Sequence, residues 1–268
     1  MGDTSNGMQS GLVTGEMADS MYKMLMTTVQ NILEDKFRLR MNLHILQLVY
    51  DLEVSHHGNR LYNGLKQTVS AYLETKVQAD VLDSLDKNFL QTLQQCWTNH
   101  RTAMNMIGHV FNHLDKTYVY EKRLDIVYNL GLKLFRDIVV LDYRVKNRLR
   151  ETLLSLVMRI RNGEVVDREA LKGACHMLME LGIQQRTVYE EVFEQPFLAQ
   201  SVEFYKVESR RLLAERNSAT IYMKQAKARI SKEFELAKNY LDTYSVYNST
   251  AFKIKYVVEQ ILIQKNNI

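Results

Sequence analysis

A single proline, Pro196, stands in a chain of 268 residues, where average usage would place roughly a dozen. Proline removes a helix donor and clashes with the preceding turn, so its near absence lets helices run long. The same scarcity of turn signals argues against a sheet built from many short strands. The chain reads as all-α. Its 46% hydrophobic and 25% charged residues are enough for a real core and exclude a largely disordered chain.

Helical periodicity runs almost unbroken after a small, polar, aperiodic stretch read as a disordered tail over residues 1–18. Met21, Leu25, Val29, Ile32 and Leu33 recur at three and four, as do Leu61, Leu65, Val69, Tyr72 and Leu73 after Gly58. A long stripe follows Asp86 through Leu90, Leu93, Trp97, Met104, Ile107, Phe111 and Leu114, and a straight helix of that length would span roughly 45 Å. The spacing then predicts helices through Leu130 and Leu134, through Leu149 and Ile160 to a stop at Asn162-Gly163, and from an Asp167 cap to Gly182. Three more carry Phe193 and Phe197, Ile230 and Phe234, and Ile254 and Val258, the last after a turn-rich DTYSVYNST stretch. About ten helices divide near residue 143 into two sets of five, which predicts an α-solenoid, with one unit over 19–142 and a second over 143–268.

The charge balance is 35 − 31 = +4, a weak field that disfavours nucleic acid as a partner. Lys206, Arg210, Arg211, Arg216, Lys224, Lys227, Arg229 and Lys232 form the densest basic stretch; without interleaved aromatics it reads as a solvated or acidic-partner face. Cys96 and Cys175 lie far apart in helical patterns, so no disulfide framework is expected and a reducing compartment, cytoplasmic or nuclear, fits. No apolar run approaches membrane-spanning length and no signal peptide is recognised, so no membrane partner is expected. A catalytic role needs a clustered nucleophile and base or a metal set. No phosphate loop, nucleophile elbow, HExxH or CxxC is found, and catalytic, metal and cofactor sites are all expected to be absent. His109 and His113, one turn apart, have no carboxylate or third His a further helical turn away to complete a metal site. His56 and His57 read as a helix C-terminal cap.

The segment Asn42 to Val54 is more informative. At 100° per residue, Ile45, Leu48, Val49 and Leu52 share one face, while Leu43, Leu46, Tyr50 and Val54 fall nearly opposite. One stripe faces the chain's own core; the other is covered by a neighbouring helix or by another protein. Tyr50, amphipathic in one side chain, leans towards the partner reading. A second two-faced pattern, Ile126 to Val140, follows what reads as an aromatic turn, Thr117-Tyr118-Val119-Tyr120, and its default is burial in a bundle.

These residues also carry a resemblance. The run HLDKTYVYEKRLDIVYNLGLKLFRDIVV (113–140), then GEVVDREALKGACHMLMELG (163–182), RTVYEEVFEQPFLAQSVEFY (186–205) and YMKQAKARISKEFELAKNYLD (222–242) resemble, in order, the amino-terminal repeats of the cullin family. The GEVVDR and ACHMLMELG stretches are most similar to the cullin-three branch, which pairs with BTB-domain adaptors. The resemblance implies two five-helix cullin repeats in a non-catalytic scaffold of a cullin-RING E3 ubiquitin ligase. Its first repeat would hold the adaptor on the second and fifth helices and on an aromatic just before the fifth. Carried across, the adaptor-binding residues are Leu46, Tyr50 and Val54, with His57 and Tyr118; Leu43 extends the stripe and Tyr120 the aromatic segment.

Leu46 stands where a second Tyr is usual in that branch, which keeps apolar area and loses a hydroxyl. The 34–44 segment, the tail, Lys227 and an insertion near 243–251 also depart from the family pattern. The resemblance further leads one to expect that the RING-binding and modifier-accepting half is not on this chain, so no RING subunit partner is expected for it alone. The expected alternatives are a helical tether or an adaptor-sequestering paralogue with no ligase role.

Overall fold

The computed structural model describes residues 15–35, 43–215, 218–241 and 249–263. Among these every regular element is helical: α1 (Gly15–Leu33), α2 (Leu43–Val54), α3 (Gly58–Tyr72), α4 (Gln78–Asp83), α5 (Phe89–Val110), α6 (Asn112–Leu114), α7 (Tyr120–Lys122), α8 (Val127–Phe135), α9 (Tyr143–Arg161), α10 (Arg168–Glu180), α11 (Thr187–Tyr189), α12 (Gln195–Ala214), α13 (Ala219–Leu236) and α14 (Thr250–Leu262). Single π-helical turns at Leu73–Val77, Asp115–Val119, Arg136–Val140, Glu190–Glu194 and Ala237–Leu241 lengthen five of them. Residues 1–14 of the expected tail and most of the turn-rich 242–250 stretch lie outside the described residues; Gly15–Ala18 form the first turn of α1, with Ala18 buried.

The chain separates into two compact units, one of residues 1–79 and 96–139, the other of 80–95 and 140–268. In the first, α1 lies along α3 and α2, burying Leu25, Val29, Leu52, Leu61, Leu65 and Val69. Trp97, His100 and Met104 of α5 meet α8: the Trp97 and His100 rings contact Phe135, and Met104 occupies the space where a side chain at Gly131 would sit. In the second, α12, α13 and α14 pack around Tyr189, Phe193, Phe197, Tyr205 and Tyr222, all buried.

Three local expectations are corrected. The long stripe after Asp86 is not one straight helix: the backbone at Phe111 leaves the helical basin (φ −94°, ψ 14°), and a π turn follows at Asp115–Val119. Hydrogen bonds from Phe111 N to the Ile107 carbonyl (2.9 Å) and from Asp115 N to the Phe111 carbonyl (3.1 Å) carry the helical path across. The π turn takes up one extra residue, so Leu114 and Val119, five apart, are both buried. For the same reason Thr117-Tyr118-Val119-Tyr120 is helical rather than a turn, and the helix ends only at Arg123, which is left-handed (φ 53°). Finally, the left-handed residues after α10 are Ile183 and Gln184, not Gly182; Gly182 is needed because the Gln185 carbonyl oxygen lies 1.9 Å from where its Cβ would be.

Candidate functional site

Helix α2 is short and two-faced. Ile45, Leu48, Val49 and Leu52 are buried, whereas Leu43 is 79%, Tyr50 47% and Val54 47% exposed, and Leu46 is half-buried. The helix stops because His56 takes a left-handed conformation (φ 63°). The His57 N–H then reaches back to the Leu52 carbonyl (2.9 Å) and the His56 N–H to the Glu53 carbonyl (2.9 Å), a Schellman closure. His57, half-buried, starts α3 without a side-chain cap bond.

Gly58 follows, and the Tyr118 ring lies over it, its Cγ 2.7 Å from where a Cβ would stand. Only a bare backbone lets that ring down onto the start of α3. The Tyr118 hydroxyl donates to Asn59 Oδ1 (3.2 Å). Behind it, the buried Tyr62 hydroxyl donates to the Asp125 carbonyl (2.9 Å); burial, reinforced by the Asp125 and Asp115 charges, pushes its pKa up to about 12. Asp115 accepts from the Val127 N–H (2.9 Å) at the start of α8. Burial raises its carboxyl pKa, and that hydrogen bond partly offsets the rise.

A second cluster stands beside α2. The Tyr50 ring meets the His113 ring at 4.9 Å between centroids, tilted by 53°. The His113 Nε2 lies 3.1 Å from Glu53 Oε2, and the Thr117 hydroxyl donates to the His113 carbonyl (2.8 Å). The structure thus gathers Tyr50, Glu53 and His113 in one group, and Tyr118, Asn59 and Gly58 in another. Leu43 and Val54 lie exposed on the α2 face, and Tyr120 is 81% exposed on α7.

Glu53, Asn59 and His113 are absent from the sequence reading of this face. By sequence His113 reads only as a metal-ligand candidate, and the carboxylate it meets is 60 positions away in the chain. The one available signal was the aromatic period from His113 to Tyr118, which the π turn disguises. No group of three or more His, Cys, Asp or Glu side chains that could hold a metal occurs among the described residues. In the basic stretch, Arg211 and Arg229 both pair with Glu208 (2.9 and 3.0 Å), and Lys206 pairs with Glu203 (2.7 Å). No helix among the described residues is long and apolar enough to cross a membrane.

Residues 9–267 match the family model described as the Cullin alpha solenoid domain. The chain is 38% identical over 217 residues to Cullin-3 of Dictyostelium discoideum, covering 81% of this chain and 27% of that protein. It is 33% identical over 255 residues to Cullin-3B of Arabidopsis thaliana, covering 95% of this chain and 34% of that protein. Against Cullin-3 of Caenorhabditis elegans it is 32% identical over 219 residues, 81% of this chain and 27% of that one. The chain therefore spans at most about a third of the length of these relatives.

Proposed function

The chain belongs to the cullin family, and from that premise we propose that it is the adaptor-binding part of a cullin-RING ubiquitin ligase scaffold, docking BTB-domain adaptors on the outward face of α2 and on Tyr118. The observation that carries this reading is α2 itself: one stripe of the helix is sealed in the core while Leu43, Tyr50 and Val54 stand in solvent on the other. An aromatic with a polar tip on an otherwise apolar strip is the composition enriched at interface hot spots. Leu46, His57 and Tyr118, each half-buried, and the exposed Tyr120 complete the proposed set of docking residues. A standard interface of roughly 800 Å² per partner would cover it.

In this reading the chain works as two five-helix repeats, 19–142 and 143–268, of which the first docks the adaptor. It is a scaffold with no catalytic residue of its own, acting in the cytoplasm or nucleus.

The test is co-purification of the chain with a panel of BTB-domain adaptors set against Skp-type, elongin-type and DDB-type adaptors. Retention by BTB proteins supports the reading. Retention only by the other classes overturns it, and no retention of BTB proteins at micromolar concentration favours a plain helical tether. Tyr50→Ala is expected to weaken BTB capture by about 1–4 kcal/mol, read by calorimetry.

A further inference from the structure

An exposed tyrosine on a short surface helix ordinarily samples several side-chain rotamers, and a partner that docks on it must freeze one of them. That ordering cost is of the order of 3- to 10-fold in affinity for a rotamer-rich side chain. The surroundings of Tyr50 bear on this cost. His113, on α6, lies against the Tyr50 ring, and Glu53, one helical turn beyond Tyr50 on the same helix, takes the His113 Nε2 at 3.1 Å. Nε2 bears a proton in this contact whether the imidazole is singly or doubly protonated, since the carboxylate can only accept. The Glu53 side chain is 18% and the His113 side chain 35% exposed, so solvent and salt screen their contact less than they would a fully exposed pair. The hydrogen bond from Thr117 to the His113 carbonyl ties the same residue to the π turn that carries Tyr118.

We propose that the Glu53–His113 pair is the positioning device of the docking face: Glu53 fixes the imidazole, and the imidazole holds the Tyr50 ring in the pose an adaptor meets. Neither residue needs to touch the adaptor for this. They act through Tyr50, and His113 joins the α2 face to the Tyr118 segment so that both anchors are presented together. The inference rests on the BTB-docking reading and names the residues that set its affinity.

The experiment is a double-mutant cycle on the full chain, with binding to a purified BTB-domain adaptor measured by titration calorimetry and folding followed by circular dichroism melts. His113→Ala and Glu53→Ala are each expected to weaken binding about 3- to 10-fold, while Glu53→Gln, which keeps an acceptor for Nε2, stays within about twofold of the parent. In a Tyr50→Ala background, His113→Ala is expected to cost less than about 1.5-fold, because there is no ring left to hold; a general structural role would cost the same in both backgrounds. Equal losses in the two backgrounds, or no loss from either Ala variant while the parent binds and Tyr50→Ala weakens it, overturn the positioning role and leave docking intact. If the parent binds no BTB adaptor at all, the docking reading fails and this inference with it. Should His113→Ala fail to fold, the Glu53→Ala and Glu53→Gln comparison decides alone.

Discussion

At the scale of single residues, the least comfortable side chain in the first unit is His100. It is buried, its Nε2 bonds the Gly131 carbonyl at 2.9 Å, and its Nδ1 has no hydrogen-bond partner. Burial lowers its pKa to about 4, a shift that the bond to Gly131 only partly opposes. The folded pKa therefore lies below the unfolded value of roughly 6.5, and the unfolded chain takes up the proton first. The contribution of His100 to stability is complete above about pH 6.5 and is lost as pH falls towards about 4, at a slope of up to about 1.4 kcal/mol per pH unit. Urea melts from pH 7 to pH 4.5 are expected to show a steeper fall for the parent chain than for His100→Gln, and parallel curves would contradict the assignment.

At the scale of elements, the second unit is organised by a buried ion pair. The Arg161 guanidinium, at the end of α9, forms a fork with Glu233 of α13 (2.9 and 3.0 Å), donates to Ser201 of α12 (2.6 Å), and lies against the rings of Phe197, Phe204 and Tyr205. The Tyr205 hydroxyl donates to the same Glu233 (2.7 Å), and burial first, then that carboxylate, drives its pKa far up. With side chains 2% and 3% exposed, the two charges are held away from water, and removing one strands the other. Arg161→Ala is expected to destabilise the chain by about 3–5 kcal/mol in urea unfolding, whereas Arg161→Met with Glu233→Met removes both charges and stays much closer to the parent. None of this was legible in the sequence, because Arg161 and Glu233 are 72 positions apart and each sits in a helix whose apolar period is satisfied without it.

At the scale of the whole molecule, α5 is shared between the two compact units. Residues 80–95, with Val81, Phe89, Leu90 and Leu93 buried, group with the second unit, while 96–139 group with the first. Gln94 donates to the Ala170 carbonyl (2.6 Å) and Arg148 to the Leu85 carbonyl (2.9 Å). A cut at the proposed 142/143 repeat boundary would therefore leave those apolar side chains without the residues they cluster with. A fragment ending at residue 142 is expected to bind a hydrophobic dye and to self-associate in sedimentation experiments, unlike the full chain. A monomeric fragment with a cooperative melt and no dye binding would count against it.

Sequence alone settled the helical content, since one proline and an unbroken three-and-four period leave little else to build, and it separated the two faces of α2 residue by residue. Periodicity is a local property, carried by neighbours within a turn or two, and it says which side chains share a face without saying what covers that face. Tertiary packing decided the rest: that Leu43, Tyr50 and Val54 stay open while Ile45, Leu48, Val49 and Leu52 are closed over, that Glu53 finds His113, and that Arg161 finds Glu233. The α2 faces are decided by α1 and α3 packing on one side of the helix, and the two side-chain pairs join residues 60 and 72 positions apart, where burial and the need of buried polar groups for partners select the contact and helical spacing has no influence.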